Sequence, residues 1–280
     1  GVRLDRDSCS ALSDETPVLV DLKPVGAGYM EDFHYAGGLE GVLREIAPRL
    51  ETETRSVNGE TLAERLTRPL PDPIDRAVIR SADTPISPVG GLIDLRGSLA
   101  PEGAILKRAA ATEALLEHEG RAVVFTSLED LAARIDDPDL DVCADDILVL
   151  QNAGPKSPSG MPEAGYLPIP KKLAQAGVKD MVRISDARMS GTAFGTIVLH
   201  VSPEAAIGGP LALVRNGDRI QLSAREKRID LLVDAGVLTA RAAEPAAEAF
   251  RPARGYARLY NDHVGSATDG CDFDFLGPEG

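Results

Sequence analysis

Two short segments hold the side chains best suited to chemistry. Ser185-Asp186-Ala187-Arg188-Met189-Ser190-Gly191-Thr192 puts a carboxylate, a guanidinium and a hydroxyl into one polar turn. Gly160-Met161-Pro162-Glu163-Ala164-Gly165 isolates one carboxylate, Glu163, among glycine and proline. If the two segments converge, Glu163 and Ser190 can bind a hard cation such as Mg²⁺, which takes oxygen ligands. The cation would depress the hydroxyl pKa and make Ser190 a base. Without such help a serine is a poor one. Gly191 beside it lets a ligand approach closely. Both segments also have a plainer reading: Ser-Gly-Thr is common turn chemistry, and a loop carboxylate is often simply solvated.

The elements that must position these residues are short strands. Met181, Val182 and Ile184 lead into the Ser190 turn, and Thr196-Ile197-Val198-Leu199 leaves it. Apolar, β-branched runs bounded by glycine and small polar residues read as buried strands. Asp145–Leu150 is another, and it feeds the long Gly/Pro loop Gln151–Pro170 that carries Glu163. Loops of that length in a compact domain are commonly functional, and Met161, Tyr166, Leu167 and Ile169 favour an ordered one. A short helix, Lys171–Ala176, ended by Gly177, separates the two segments.

Further strands are expected at Gly90–Gly97, Gly103–Lys107, Arg121–Phe125, Leu211–Val214, Arg219–Leu222 and Arg228–Val233, with a hairpin-type turn at Asn216-Gly217-Asp218. Helices are expected at Ser127–Ile135, with Ser127 as cap, at Ala235–Phe250 and at Arg254–His263. Many short strands with glycine turns indicate a closed or nearly closed β-barrel. The segment before Arg68 reads as α/β, with a strand at Thr16–Leu22, a helix at Leu39–Leu50 and a helix begun near Thr61. Arg68–Pro88, rich in Pro, Asp and Arg, reads as a linker. The expected fold is therefore α/β over residues 1–80, followed by a mainly β-barrel domain with flanking helices over 81–280.

Composition narrows the partners. The net charge of −14 argues against non-specific nucleic-acid binding, which needs a basic face. Trp is absent, so no aromatic platform for single strands is evident. No apolar run approaches the ~20 residues of a membrane helix and no signal peptide opens the chain, so a cytoplasmic enzyme is expected. Cys9, Cys143 and Cys271 are odd in number, far apart and without C-x-x-C spacing, against a disulfide framework or a zinc site. His34 beside Glu31 and Asp32 could join a ligand cluster, but a loop–helix histidine is more often a hydrogen-bonded structural group. The dinucleotide, P-loop, α/β-hydrolase and zinc-protease motifs are missing.

The segments T-P-V-L-V-D-L-K-P, M-E-D-F-H-Y-A-G-G-L, P-I-S-P-V-G-G-L, L-R-G-S-L-A-P-E-G-A, G-P-K-S-P-S-G-M-P-E, S-D-A-R-M-S-G-T-A-F-G-T and H-V-S-P-E-A-A-I-G-G-P-L-A-L-V resemble the dihydroxy-acid and sugar-acid dehydratases, the iron–sulfur hydro-lyases. They span nearly the whole chain. R-M-S-G-T-A-F-G and the closing G-C-D-F-D-F-L are more similar to the arabinonate, xylonate or fuconate branch than to the branched-chain amino-acid branch.

The resemblance implies removal of water from a sugar acid to give a 2-keto-3-deoxy acid. It implies a [2Fe–2S] cluster and Mg²⁺, with Ser190 as base on C2, Glu163 as a Mg²⁺ ligand and Thr192 as a substrate contact. It also implies a barrel of the aconitase-like swivelling type and a homo-oligomer. Members of the family are much longer than this chain, and their cluster cysteines lie in the preceding half. The chain thus reads as a C-terminal half, expected to be inactive alone and to need the N-terminal half or a partner chain. The alternatives are a branched-chain dihydroxy-acid dehydratase and a non-catalytic barrel subunit.

Overall fold

The computed structural model describes residues 5–163, 167–188, 190, 194–245 and 249–276. The chain forms two compact units, Gly1–Gly91 and Leu92–Gly280.

The first unit is built from short helices: α1 (Arg6–Glu15), α2 (Met30–Tyr35), α3 (Gly38–Glu45) and α4 (Leu62–Leu66). Their starts are set by side chains. Asp5 accepts the Ser8 N–H ahead of α1, and Thr61 and Glu64 form a reciprocal capping box on α4. Glycine at position 41 lets α3 approach Ile79, which is fully buried; a Cβ there would stand 3.2 Å from the Ile79 side chain.

Two expectations fail in this unit. Thr16–Leu22 is extended but makes only isolated bridges, Val18 to Ser87, Val20 to Ile79 and Leu22 to Gly28. An apolar run becomes a strand only where partners line up along it, and here each partner comes from a different segment. The helix expected over 39–50 stops at Glu45 and passes into a 3₁₀ turn at Ala47–Arg49. Pro48 supplies no N–H for the α ladder.

The second unit is an eight-stranded mixed sheet: β1 (Leu92–Leu95), β2 (Gly103–Lys107), β3 (Glu117–Phe125), β4 (Ile147–Leu150), β5 (Arg183–Ser185), β6 (Ile197–Ser202), β7 (Arg219–Ser223) and β8 (Arg228–Leu231). The order is β1-β2-β6-β5-β4-β3-β7-β8. The two ends meet: Arg96, just past β1, bridges Arg228, and the Ile229 N–H donates to the Arg96 carbonyl at 3.0 Å. The sheet is thus a nearly closed barrel, as expected. β3, β4, β5 and β6 run parallel, so their carboxyl ends share one edge. β3 also pairs antiparallel with β7 through its first half.

Period-2 alternation explains why β4 is buried on both faces. Ile147 and Val149 face the barrel interior with Val124, Ile184, Val198, Ile220 and Ile229. Leu148 and Leu150 face outward into a second cluster with Phe125, Leu131, Met181 and Leu199. That outer layer is covered by α5 (Leu128–Arg134) and by Leu173 of α6 (Lys171–Gln175). Ser127 caps α5 by accepting the Asp130 N–H. Two more helices follow β8: α7 (Ala235–Ala242) and α8 (Gly255–His263).

The barrel unit corrects three further expectations. Leu211–Val214 is no strand; Pro210–Leu213 is a 3₁₀ turn that opens on its proline and drives Leu211 fully into the core. The Gln151 side chain satisfies the carbonyls freed there, donating to Leu211 at 2.7 Å and Val214 at 3.0 Å. Asn216-Gly217-Asp218 is consequently not a hairpin turn: β7 pairs with β3 and β8, and the Asn216 side chain accepts the Val124 N–H. The helix expected over 235–250 is confirmed only as α7; Pro245 lies just beyond its end. No helix among the described residues is long and apolar enough to cross a membrane.

Candidate active site

The carboxyl ends of parallel strands are where loops gather in such sheets. Three loops gather here: 151–170 after β4, the turn after β5, and 203–210 after β6. Each carries a residue that cannot sit in a dry strand.

The turn after β5 begins with Asp186, only 1% exposed. Its carboxylate accepts the Ala153 N–H from the first loop at 2.9 Å and the Ala205 N–H from the third at 2.9 Å. Burial pushes its pKa up to about 6 against these stabilising N–H groups. Ser190 follows and is also buried, 8% exposed. Between them, Arg188 bridges Glu163 in parallel, its N–H donates to the Pro162 carbonyl at 3.3 Å, and its guanidinium lies 3.7 Å from the Glu163 carboxylate. The Glu163 loop and the Ser190 turn are therefore brought together at one edge. Thr192 lies outside the described residues.

The far side of the turn is anchored by a buried ion pair. Asp180 and Arg183 meet at 3.0 Å. Asp180 also accepts from the Thr196 N–H and hydroxyl, and Arg183 donates to the Leu167 and Phe194 carbonyls, each at 3.0 Å. Gly195 sits against this pair at φ +103°, where a Cβ would fall 2.0 Å from the guanidinium. A glycine is required on both counts.

The third loop brings Glu204, 5% exposed. Both its oxygens accept the Lys156 N–H, at 3.0 and 2.9 Å. Burial and, less strongly, the Asp186 charge together lift its pKa to about 7 against the opposing Lys156 N–H and charge. His200 on β6 has a lowered pKa, from burial and then from Arg188. Glu204 lies within the segment H-V-S-P-E-A-A-I-G-G-P-L-A-L-V, but nothing in its residue type or spacing singled it out. It occupies an ordinary Ser-Pro-Glu, and only the chain's return to the sheet buries it.

The donor chemistry limits what this chain can bind. Cys9 and Cys143 are exposed, and the Cys271 thiol contacts the Met161 thioether at 3.3 Å. These three do not fit a [2Fe–2S] cluster, which needs several thiolates around one centre. Among the described residues no group of three His, Cys, Asp or Glu suits a metal ion. Glu163 fits as a single ligand: it is partly exposed, its ion pair with Arg188 is a loose one at 3.7 Å, and Mg²⁺ is commonly held by one or two carboxylates. A cavity of ≈ 530 Å³ opens at the same edge, lined by residues including Thr126, Gln151, Asn152, Arg215 and Arg241.

Comparison with known proteins places this architecture. The family model described as dihydroxy-acid/6-phosphogluconate dehydratase C-terminal matches residues 77–271, and its N-terminal counterpart matches residues 1–65. The chain is 46% identical over 99% of its length to a 6-deoxy-6-sulfo-D-gluconate dehydratase of Pseudomonas putida, covering 48% of that protein. It is 47% identical over 99% of its length to an L-arabonate dehydratase of Azospirillum brasilense, again covering 48%. A dihydroxy-acid dehydratase of Methanothrix thermoacetophila is 39% identical over 96% of this chain and 49% of its own length. The chain spans about half the length of the curated relatives it matches. It belongs to the dihydroxy-acid/6-phosphogluconate dehydratase family.

Proposed function

We propose that the full-length protein is a hydro-lyase that dehydrates a sugar acid, an aldonate, to a 2-keto-3-deoxy acid, with Ser190 as the base at C2. The observation that carries this reading is the junction of Pro162 and Glu163 with Arg188, two residues from Ser190. It sets a loop carboxylate and a buried hydroxyl at the same edge of the barrel. The substrate class rests on relatives: those named for sulfogluconate and arabonate are 46% and 47% identical, the dihydroxy-acid relative 39%.

In this reaction the C2–H bond breaks and its proton passes to the Ser190 Oγ. The electron pair becomes the C2=C3 bond, the C3–O bond breaks, and the departing hydroxide takes the proton from the Ser190 Oγ to leave as water, which returns the serine to its basic form. The enol then tautomerises to the 2-keto acid. Burial of Ser190 keeps bulk water from competing for that proton. Mg²⁺ at Glu163 would supply positive charge that lowers the pKa of neighbouring oxygens, the help a serine base needs. Thr192, two residues on, contacts the substrate. Cluster ligands come from outside these 280 residues.

The test is the full-length protein, loaded with iron, sulfide and Mg²⁺ and assayed on aldonates beside a branched 2,3-dihydroxy acid. Ser190→Ala is expected to lower kcat about 1,000-fold. A near wild-type rate rejects Ser190 as base, and preference for the branched acid rejects the substrate class. Glu163→Gln is expected to weaken Mg²⁺ binding about tenfold or more, read as the metal concentration for half-activity.

A further inference from the structure

The dehydration scheme uses neither Asp186 nor Glu204, yet both are buried carboxylates at the edge where it operates. A carboxylate removed from water costs free energy that a neutral side chain would not. Here both spend their acceptors on the backbone of one short segment. Asp186 takes the Ala153 N–H, and Glu204 takes the Lys156 N–H with both oxygens. Gly154, between them, lies so close to Glu204 that a Cβ would stand 2.3 Å from its carboxylate. Asp186 also holds Ala205, the residue after Glu204, so the two acids are tied to each other as well as to the loop. Beyond this turn, the same loop is joined to the Ser190 turn at Pro162 and Arg188. Residues 153–163 are therefore gripped at both ends by the strand edge that presents the base.

We propose that Asp186 and Glu204 are positioning residues: they lock the start of the Glu163 loop so that Glu163 and Ser190 stand in one fixed relation. This rests on the dehydratase reading for its catalytic consequence, but the grip itself can be measured without it. Small displacements of reacting groups cost large factors in rate, so holding the loop is a kcat effect rather than a binding effect.

The experiment uses the full-length protein with Asp186→Asn, Glu204→Ala and Glu204→Gln. Asparagine keeps the shape of aspartate but turns one acceptor into a donor facing an N–H. Glutamine keeps an acceptor for Lys156; alanine keeps none. Amide hydrogen exchange is read on peptides covering 151–163, with the β4 peptide as internal control. In D186N and E204A, exchange over 151–163 is expected to rise about tenfold or more while β4 is unchanged. On an aldonate, kcat falls about 100-fold with KM within about threefold, and E204Q recovers most of the loss. Unchanged exchange overturns the proposal. So does raised exchange with undiminished kcat, or a loss confined to KM. If no aldonate is turned over by the unsubstituted protein, the dehydratase reading fails while the exchange result still decides whether the two acids grip the loop.

Discussion

Glu204 shows what one side chain can do to the pH behaviour of the fold. Its pKa is raised to about 7, first by burial and then by Asp186, against the opposing Lys156 N–H and charge. A carboxyl whose folded pKa lies above its unfolded value binds its proton more tightly in the folded chain. The stability this gives is fully present below about 4.5 and is lost as pH rises through about 7. Asp186 acts in the same direction, its contribution present below about 3.8 and lost as pH rises through about 6. Glu204→Gln is therefore expected to be more stable than the parent at pH 8, by up to about 3 kcal/mol, and to match it near pH 4. Urea unfolding at the two pH values checks this, and an equal difference at both would reject it. Ser190 and Glu163 stood out in the sequence as candidates because glycine, proline and small polar residues frame them. Glu204 did not, because burial is decided by contacts such as Lys156 to Glu204, 48 residues apart.

At the level of elements, the Ser190 turn depends on a knot at its exit. Asp180 and Arg183 are 4% and 8% exposed, and between them they satisfy backbone groups of Leu167, Phe194 and Thr196. Asp180→Ala leaves a buried guanidinium without its counter-ion, which costs about 3 to 5 kcal/mol. It is expected to lower the urea midpoint by that measure and to release the turn, whereas Asp139→Ala, in an exposed loop, is expected to change the midpoint little. The strands that frame this turn were readable from their β-branched runs. Residues 211–214 misled for a physical reason. Their apolar character is real, but it serves to plug the barrel from a 3₁₀ turn, with Gln151 supplying the hydrogen bonds a neighbouring strand would have given. Periodicity reports burial, and over four residues it does not report which backbone geometry achieves it.

For the whole molecule, the two units differ in how they are held. Leu92–Gly280 has a continuous sheet with two apolar layers, whereas Gly1–Gly91 has short helices and isolated bridges. Residues 92–280 alone are expected to unfold in one cooperative urea transition, while trypsin acting on the whole chain cuts first within 1–91. Early cleavage inside β3 to β6 would contradict this. We further propose that the 280 residues dehydrate no aldonate unaided, because Cys9 and Cys143 are exposed and the Cys271 thiol contacts Met161; turnover by this chain alone, with iron, sulfide and Mg²⁺ supplied, would overturn that.

The seam at Arg96 and Arg228 has a consequence for association. A sheet that ends in open strands offers unpaired amides and carbonyls to any neighbour, a standing invitation to strand exchange and fibre growth. Here the chain past β1 covers β8: the Arg96 N–H donates to Lys227, the Ile229 N–H to Arg96, and Asp230 receives the Ser98 N–H. With those groups already occupied, this seam offers a second copy little backbone to pair with.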